Sequence, residues 1–264
     1  MTIGEHRENT VAPITVSLVS HGHGRMISNV LSDLAEMPEV VRVVLTLNVP
    51  EAMPGIPPLL QQKLNVIENS APKGFAANHN AAFEHCGTEY FCVLNPDIRF
   101  TTNPFLALIK GMAATEASIA APLVVNSSGV IEDSVRFFPT PFGLLKKAMG
   151  LSRDSYVIKQ GDVAFKPDWV AGMCMLFQTN AFRALKGFDE AFFLYYEDVD
   201  ICARSWQRGM PIVVCPAVTV THDAQRESHS SLKFLRWHLA SMLRFFRKHW
   251  RRLPDTGATN ISAV

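Results

Sequence analysis

The densest chemistry in the sequence lies between Phe188 and Arg204, where Asp189, Glu190, Glu197, Asp198 and Asp200 are interleaved with Phe192, Phe193, Tyr195 and Tyr196. Aromatic surroundings disfavour a carboxylate's charge, and neighbouring acids raise one another's pKa. Such a cluster is suited to hold a carboxylate that takes a proton. Asp97, in Val93-Leu94-Asn95-Pro96-Asp97, lies far upstream at the end of an apolar run. Together these acids indicate a site divided between a ligand for a metal or diphosphate and a general base. On a helix beginning near Glu197, the side chains of Glu197, Asp200 and Arg204 share one stripe, and Asp198 points ~100° away from Glu197. Asp200 and Arg204 then form an ion pair that steadies the helix.

These residues must be carried by regular elements. Ile14 to Ser20, Val40 to Leu47, Leu64 to Glu68 and Tyr90 to Leu94 read as strands, and Met26 to Ala35 and Phe75 to His85 as helices. The alternation predicts an α/β domain with a mostly parallel central sheet and helices on both faces. Ligands of such sheets bind at the carboxyl ends of the strands, where Ser20, His21, Asn48 and Asn95 to Asp97 fall. Further on, Asn126 to Gly129 is a turn between Ala120–Val125 and Val130–Arg136, and the stretch 137–161 lacks periodicity and is expected to be a mobile loop. Trp169 to Phe177 is a buried strand interrupted by Gly172, and Thr179-Asn180 opens a short helix ending near Gly187.

A chain of 264 residues without a Ser/Gly/Pro-rich linker suits one large core. The net charge of +1 gives no reason to expect a nucleic-acid partner. Cys86, Cys92, Cys174, Cys202 and Cys215 form no Cys-x-x-Cys pair and read as reduced core thiols of a cytosolic protein. The start of the chain lacks the hydrophobic run of a secretory signal, and no segment reaches ~18 uninterrupted apolar residues. The expected location is cytoplasmic, with peripheral attachment to the inner face of the cell membrane as an option.

That option rests on the C-terminal segment. Leu232, Leu235, Leu239, Met242, Leu243, Phe246 and Trp250 form one helical stripe. Lys233, Arg236, Arg244, Arg247, Lys248, Arg251 and Arg252 flank it with no acid in the stretch, so the remainder of the chain is net acidic. Three destinations suit this helix: an anionic membrane surface, a second copy of the chain in a homodimer, or its own domain. The expected division is a flexible N-terminus (1–12), a catalytic domain (13–231), and a basic amphipathic helix and tail (232–264).

An ordered set of motifs resembles family 2 glycosyltransferases of the GT-A fold, and rhamnosyltransferase-like members in particular. The set comprises Asn69-Ser70-Ala71-Pro72-Lys73-Gly74-Phe75-Ala76-Ala77-Asn78, Leu94-Asn95-Pro96-Asp97, Trp169-Val170-Ala171-Gly172, Gly187-Phe188-Asp189-Glu190 and Tyr196-Glu197-Asp198-Val199-Asp200. The resemblance spans roughly Ile14 to Ser231. It implies an inverting transferase using a nucleotide-sugar donor, dTDP- or UDP-linked, and a divalent cation, manganese or magnesium. Asp97 matches the last acid of the family's Asp-x-Asp metal motif, with Asn95 in place of the first, and His222 matches a histidine that completes the metal shell. Asp198 matches the catalytic base.

The same resemblance puts Lys73, Gly74 and Asn78 near the nucleotide, with Ser20, His21 and Asn48 around the base. Free amides at the helix start after Gly74 would face the diphosphate; a solvated lysine at an ordinary helix start is the alternative. Leu47 stands where relatives carry an acid. Trp169, Gly172 and Glu197 fall to the acceptor side, with Trp169 stacking on a sugar or packing in the core. The implied activity is sugar transfer to a saccharide or lipid-linked saccharide in cell-surface polysaccharide assembly. A non-catalytic sugar-nucleotide binder or membrane scaffold is the alternative raised by Asn95 and Leu47, and a nucleotidyltransferase is a more distant one.

Overall fold

The computed structural model describes residues 12–151, 155–223 and 232–256. The expected N-terminal segment up to residue 11, the domain boundary at 231 and the tail beyond 256 lie outside them.

The strands are β1 (Ile14–Ser20), β2 (Val40–Leu47), β3 (Leu64–Glu68), β4 (Tyr90–Leu94), β5 (Ile98–Arg99), β6 (Ile119–Asn126), β7 (Val135–Arg136), β8 (Trp169–Val170), β9 (Cys174–Gln178) and β10 (Ile212–His222). The helices are α1 (Arg25–Ala35), α2 (Phe75–Phe83), α3 (Phe105–Thr115), α4 (Pro141–Ala148), α5 (Thr179–Leu185), α6 (Glu197–Gln207) and α7 (Leu232–His249). One sheet runs in the order β3-β2-β1-β4-β9-β6-β10-β5, and β7 and β8 form a separate two-stranded ribbon. Pairing is parallel from β3 through β4 and between β6 and β10; β9 lies antiparallel between β4 and β6, and β5 antiparallel on β10.

The continuous apolar runs are explained by burial on both faces of the sheet. Successive side chains alternate sides, so Cys92 and Leu94 enter one core with Val16, Leu18 and Leu45, while Phe91 and Val93 enter the other with Phe177, Phe182, Phe188 and Phe192. All five cysteines are free, and all but the half-buried Cys86 are buried.

The antiparallel insertion of β9 positions the site. It pairs Cys174 with Leu94, which brings the turn before β9 to the carboxyl end of β4. There the Asn95 amide donates to the Met173 carbonyl at 2.9 Å. At the far edge His222 pairs with Ile98 across β10 and β5, next to Asp97.

The expected buried strand from Trp169 to Phe177 is in fact two strands, β8 and β9, in different sheets. They part at Gly172, where a Cβ would press on the Phe75 ring. The stretch 137–161 was expected to lack structure but contains α4, whose first turn is capped by Thr140 Oγ1 accepting from the Gly143 amide. Two prolines and a glycine hid its periodicity. The turn at Asn126–Gly129 forms, but its second arm reduces to a single bridge from Ile131 to Val125 before the chain leaves for the ribbon.

Candidate active site

Glu197 and Asp198 open α6, where the helix dipole favours negative charge. The chain reaches them through Tyr195 and Tyr196, both left-handed at φ 69° and 68°. Two consecutive bulky residues in that region cost on the order of 1–3 kcal/mol each and must be held by their surroundings. The His238 ring of α7 lies 5.4 Å from each tyrosine ring, and Phe245 lies 5.5 Å from Tyr196. The preceding loop is clamped to α2: Asn80 exchanges hydrogen bonds with the backbone of Phe188, and the Phe75 amide donates to the Phe193 carbonyl at 3.1 Å.

The two acids differ in their partners. Asp198 accepts from the Gly172 amide at 3.0 Å and from the Val199 amide at 2.8 Å. Glu197 is buried, and its Oε2 has no hydrogen-bond partner. Burial raises the pKa of both, and the charge of Asp198 raises that of Glu197 well above the ordinary carboxyl range. The two amides therefore put the charge on Asp198 and leave the proton on Glu197. Both border a cavity of about 380 Å³ that is also lined by Arg136, Trp169, Tyr195 and His238. The Trp169 indole donates to the Phe137 carbonyl at 2.9 Å, and the Arg136 guanidinium sits 5.7 Å from its ring centroid.

The turn at Ala171–Met173 joins this cavity to a second cluster, since Gly172 holds Asp198 while Met173 holds Asn95. In that cluster Asp97 Oδ2 lies 3.0 Å from His222 Nε2, and Glu132 Oε2 lies 2.6 Å from His222 Nδ1. The hydrogen bond with Asp97 outweighs burial, and with the charges of both acids it raises His222 to about 9. Asp97 Oδ1 is buried with no partner. A lone carboxylate oxygen beside an imidazole fits a divalent cation that displaces the proton on Nε2. Among the described residues no group of three or more His, Cys, Asp or Glu is placed to hold a metal by itself. Glu132 was not foreseen: it lies after a turn, and only the β10–β6 register brings it to His222.

The amides expected around a nucleotide are engaged in holding the loop. Asn48 Nδ2 donates to the Lys73 carbonyl at 3.0 Å and lies 3.1 Å from His21 Nδ1, while its Oδ1 accepts from the Lys73 amide and from Asn69. Asn78, also buried, accepts from Asn69 and donates to the Lys73 carbonyl. Asn48 has its hydrogen-bonding capacity taken, Asn78 keeps a spare donor and a spare acceptor position, and both brace the 69–74 turn. Gly74 is likewise explained by packing: a Cβ there would collide with the Phe193 backbone, and the next amide is already bonded. The Lys73 side chain is exposed, as is His21, while Ser20 is buried and accepts from the His23 amide at 3.3 Å.

Asp200 lies away from the cavity. It accepts from Arg204 at 2.7 Å and from Lys248 at 2.7 Å, and lies 2.8 Å from His249 Nε2. Burial opposes its ionisation, but the His249 hydrogen bond and the charges of Arg204 and Lys248 win and hold it at about 2. The expected buttress thus extends beyond its own helix and ties α6 to α7.

Comparison with known proteins fits this geometry. Residues 56–183 match the glycosyl transferase family 2 model; Asp198 and His222 lie beyond the matched span. The chain is 26% identical to the rhamnosyltransferase WbbL of Escherichia coli over 95% of its own length and 98% of that protein. It is 27% identical to the N-acetylglucosaminyl-diphospho-decaprenol L-rhamnosyltransferase of Mycobacterium tuberculosis over 58% of this chain and 52% of that one, so it spans about half of this longer relative. In fold it is similar to GalNAc-T7 with UDP, GalNAc and Mn2+ (TM-score 0.65, 14% identity, 91% of this chain and 48% of that one). It is also similar to the mannosyltransferase PcManGT of Pyrobaculum calidifontis in complex with GDP-Man and Mn2+ (TM-score 0.60, 16% identity, 90% and 67%). The sheet with its antiparallel β9 is that of the GT-A fold shared with these structures, and over residues 56–183 the chain is similar to family 2 glycosyltransferases.

Proposed function

We propose that this chain is an inverting glycosyltransferase that moves a sugar, L-rhamnose, from a dTDP- or UDP-linked donor to a lipid-linked saccharide in cell-surface glycan assembly. The choice of sugar and acceptor is supported by the names of the relatives in Escherichia coli and Mycobacterium tuberculosis. The observation that carries the mechanism is Asp198, a carboxyl group held by two backbone amides beside a cavity, next to Glu197, whose buried Oε2 has no partner.

In this reading an acceptor hydroxyl enters the cavity between Trp169 and the tyrosines and gives its proton to Asp198 as its oxygen attacks the anomeric carbon. The bond to the nucleotide breaks on the opposite face, and one displacement inverts the centre. Neutral Glu197 adds no second charge beside the base and has a carboxyl group available to the acceptor. Asp97 and His222 would hold a divalent cation, manganese or magnesium, that offsets charge on the departing diphosphate.

The test is Asp198→Asn, which keeps the shape and cannot take the proton. Turnover of dTDP- and UDP-rhamnose should fall by on the order of a hundredfold or more, with nucleoside diphosphate binding unchanged. A variant as active as the parent would remove Asp198 as the base, and a parent that turns over neither donor would leave only a sugar-nucleotide binder.

A further inference from the structure

α7 uses two faces. Ser241, Phe245 and His249 are buried against the domain, and Ser241 Oγ donates to the Leu194 carbonyl at 2.9 Å. Leu243 lies two residues before Phe245, about 200° round the helix, and is 65% exposed. Leu235 and Leu239 continue its i, i+4 row and are exposed, as is Trp250 beyond the helix end. Arg236, Arg244, Arg247 and Arg251 flank this row, all exposed.

A second helix repeats the pattern. α4 exposes Phe142 (64%) and Leu145, followed by Met149 and Leu151, and Lys146 Nζ stands 4.6 Å from the Phe142 ring centroid. Neither 141–151 nor 232–252 contains an acid. Both helices also reach the active-site cavity, α4 through Leu144 and Lys147 and α7 through His238. Each helix thus turns one face to the cavity and an exposed apolar row flanked by basic side chains outward; the acid beside the α7 row, Asp189, is paired with Lys248.

We propose that α4 and α7 form a surface that seats the cavity mouth on an anionic bilayer. Apolar side chains beside arginines match the boundary between acyl chains and acidic headgroups. A second copy of the chain fits less well, because a two-fold contact through this face would set the same basic side chains against one another. The vesicle binding is independent of the chemistry assigned to the site. Its consequence, that a lipid-linked acceptor enters from the bilayer between these helices, rests on the transferase reading.

The test uses the full chain with equimolar phosphatidylglycerol–phosphatidylcholine vesicles and with phosphatidylcholine alone, scored by co-sedimentation. The parent should bind the anionic vesicles at least about tenfold more strongly, with binding weakened but not lost at high salt. Leu239→Ser with Leu243→Ser, and separately Phe142→Ser with Leu145→Ser, should each reduce binding about tenfold, with donor hydrolysis and thermal midpoint unchanged. Arg244→Glu with Arg247→Glu should remove the preference for anionic lipid.

Asp198→Asn should bind vesicles as the parent does. If it does while the parent hydrolyses no nucleotide sugar, the surface stands and the transferase reading fails. Three outcomes would overturn the proposal: a parent that ignores lipid charge, an α4 double variant that binds like the parent, or light scattering in which the double variants turn a dimer into a monomer without any change in vesicle binding.

Discussion

At the level of single residues, the pair Glu197–Asp198 separates roles that their adjacency in sequence leaves merged. Asp198 has two amide donors and Glu197 has an orphaned oxygen, so one proton is shared unequally. Burial raises the pKa of Asp198, so turnover should fall on the acid side as pH drops through a value above the ordinary ~4 of a free aspartate. Because Glu197 is neutral whenever Asp198 is the working base, Glu197→Gln should leave that acid limb where it is. A limb displaced in the pH–rate profile would mean that the charge resides on Glu197. Asp200 behaves differently, as its carboxylate is enclosed by Arg204, Lys248 and His249. Asp200→Asn should cost about 3 kcal/mol in urea unfolding by taking the buried carboxylate away from half-buried Arg204 and Lys248. If instead it abolished turnover at unchanged stability, the division between base and buttress would be wrong.

Among the elements, α7 is the most informative. Its apolar stripe was expected to face one way, toward membrane, partner or domain, but the structure splits it. Met242 and Phe246 pack against the domain core around buried Phe245, and Leu235, Leu239 and Leu243 face outward. The buried face is set by what the domain presents, namely the aromatic hollow at Tyr196 and the acid at Asp200, and no hydrophobic count along the helix could know of either. Deleting everything after residue 231 would therefore expose core and would not isolate surface binding. Phe245→Ala should cost about 3–5 kcal/mol in chemical denaturation, whereas Leu243→Ala should change stability by less than ~0.5 kcal/mol. Comparable losses at both positions would contradict the two-faced helix.

Across the whole molecule, the sheet collects Asp97, Glu132 and His222 from three parts of the chain at its carboxyl edge. If Asp97 and His222 share a cation with a donor diphosphate, manganese and a nucleoside diphosphate together should raise the thermal midpoint by more than the sum of their separate shifts. Merely additive shifts would argue for separate sites. The core carries a pH dependence of its own. His79 is fully buried, lies 2.7 Å from Ser17 Oγ, and is lowered by burial from 6.5 to about 3. Between those values the unfolded chain binds a proton that the folded chain does not. Stability should therefore be complete above pH 6.5 and fall as pH drops below it, by at most ~1.4 kcal/mol per pH unit. His79→Gln should flatten that decline in denaturation curves taken at successive pH values.

Much of this was legible in the chain because its carriers are local. The boundaries of β1, β2 and β4 follow from nearly continuous apolar runs, since strands largely buried on both faces leave little polar alternation to blur them. Asp97, Asp198 and the Asp200–Arg204 pair stand out by spacing and surroundings within a few residues. What tertiary structure alone decided is non-local. The antiparallel course of β9 put Gly172 on Asp198 and Met173 on Asn95, and strand register brought Glu132 to His222. Closure of the 69–74 turn consumed the amide of Asn48 and engaged part of that of Asn78. A side chain's type and spacing limit what chemistry it can do. Whether its hydrogen-bonding capacity is left for a ligand depends on partners that sequence distance conceals.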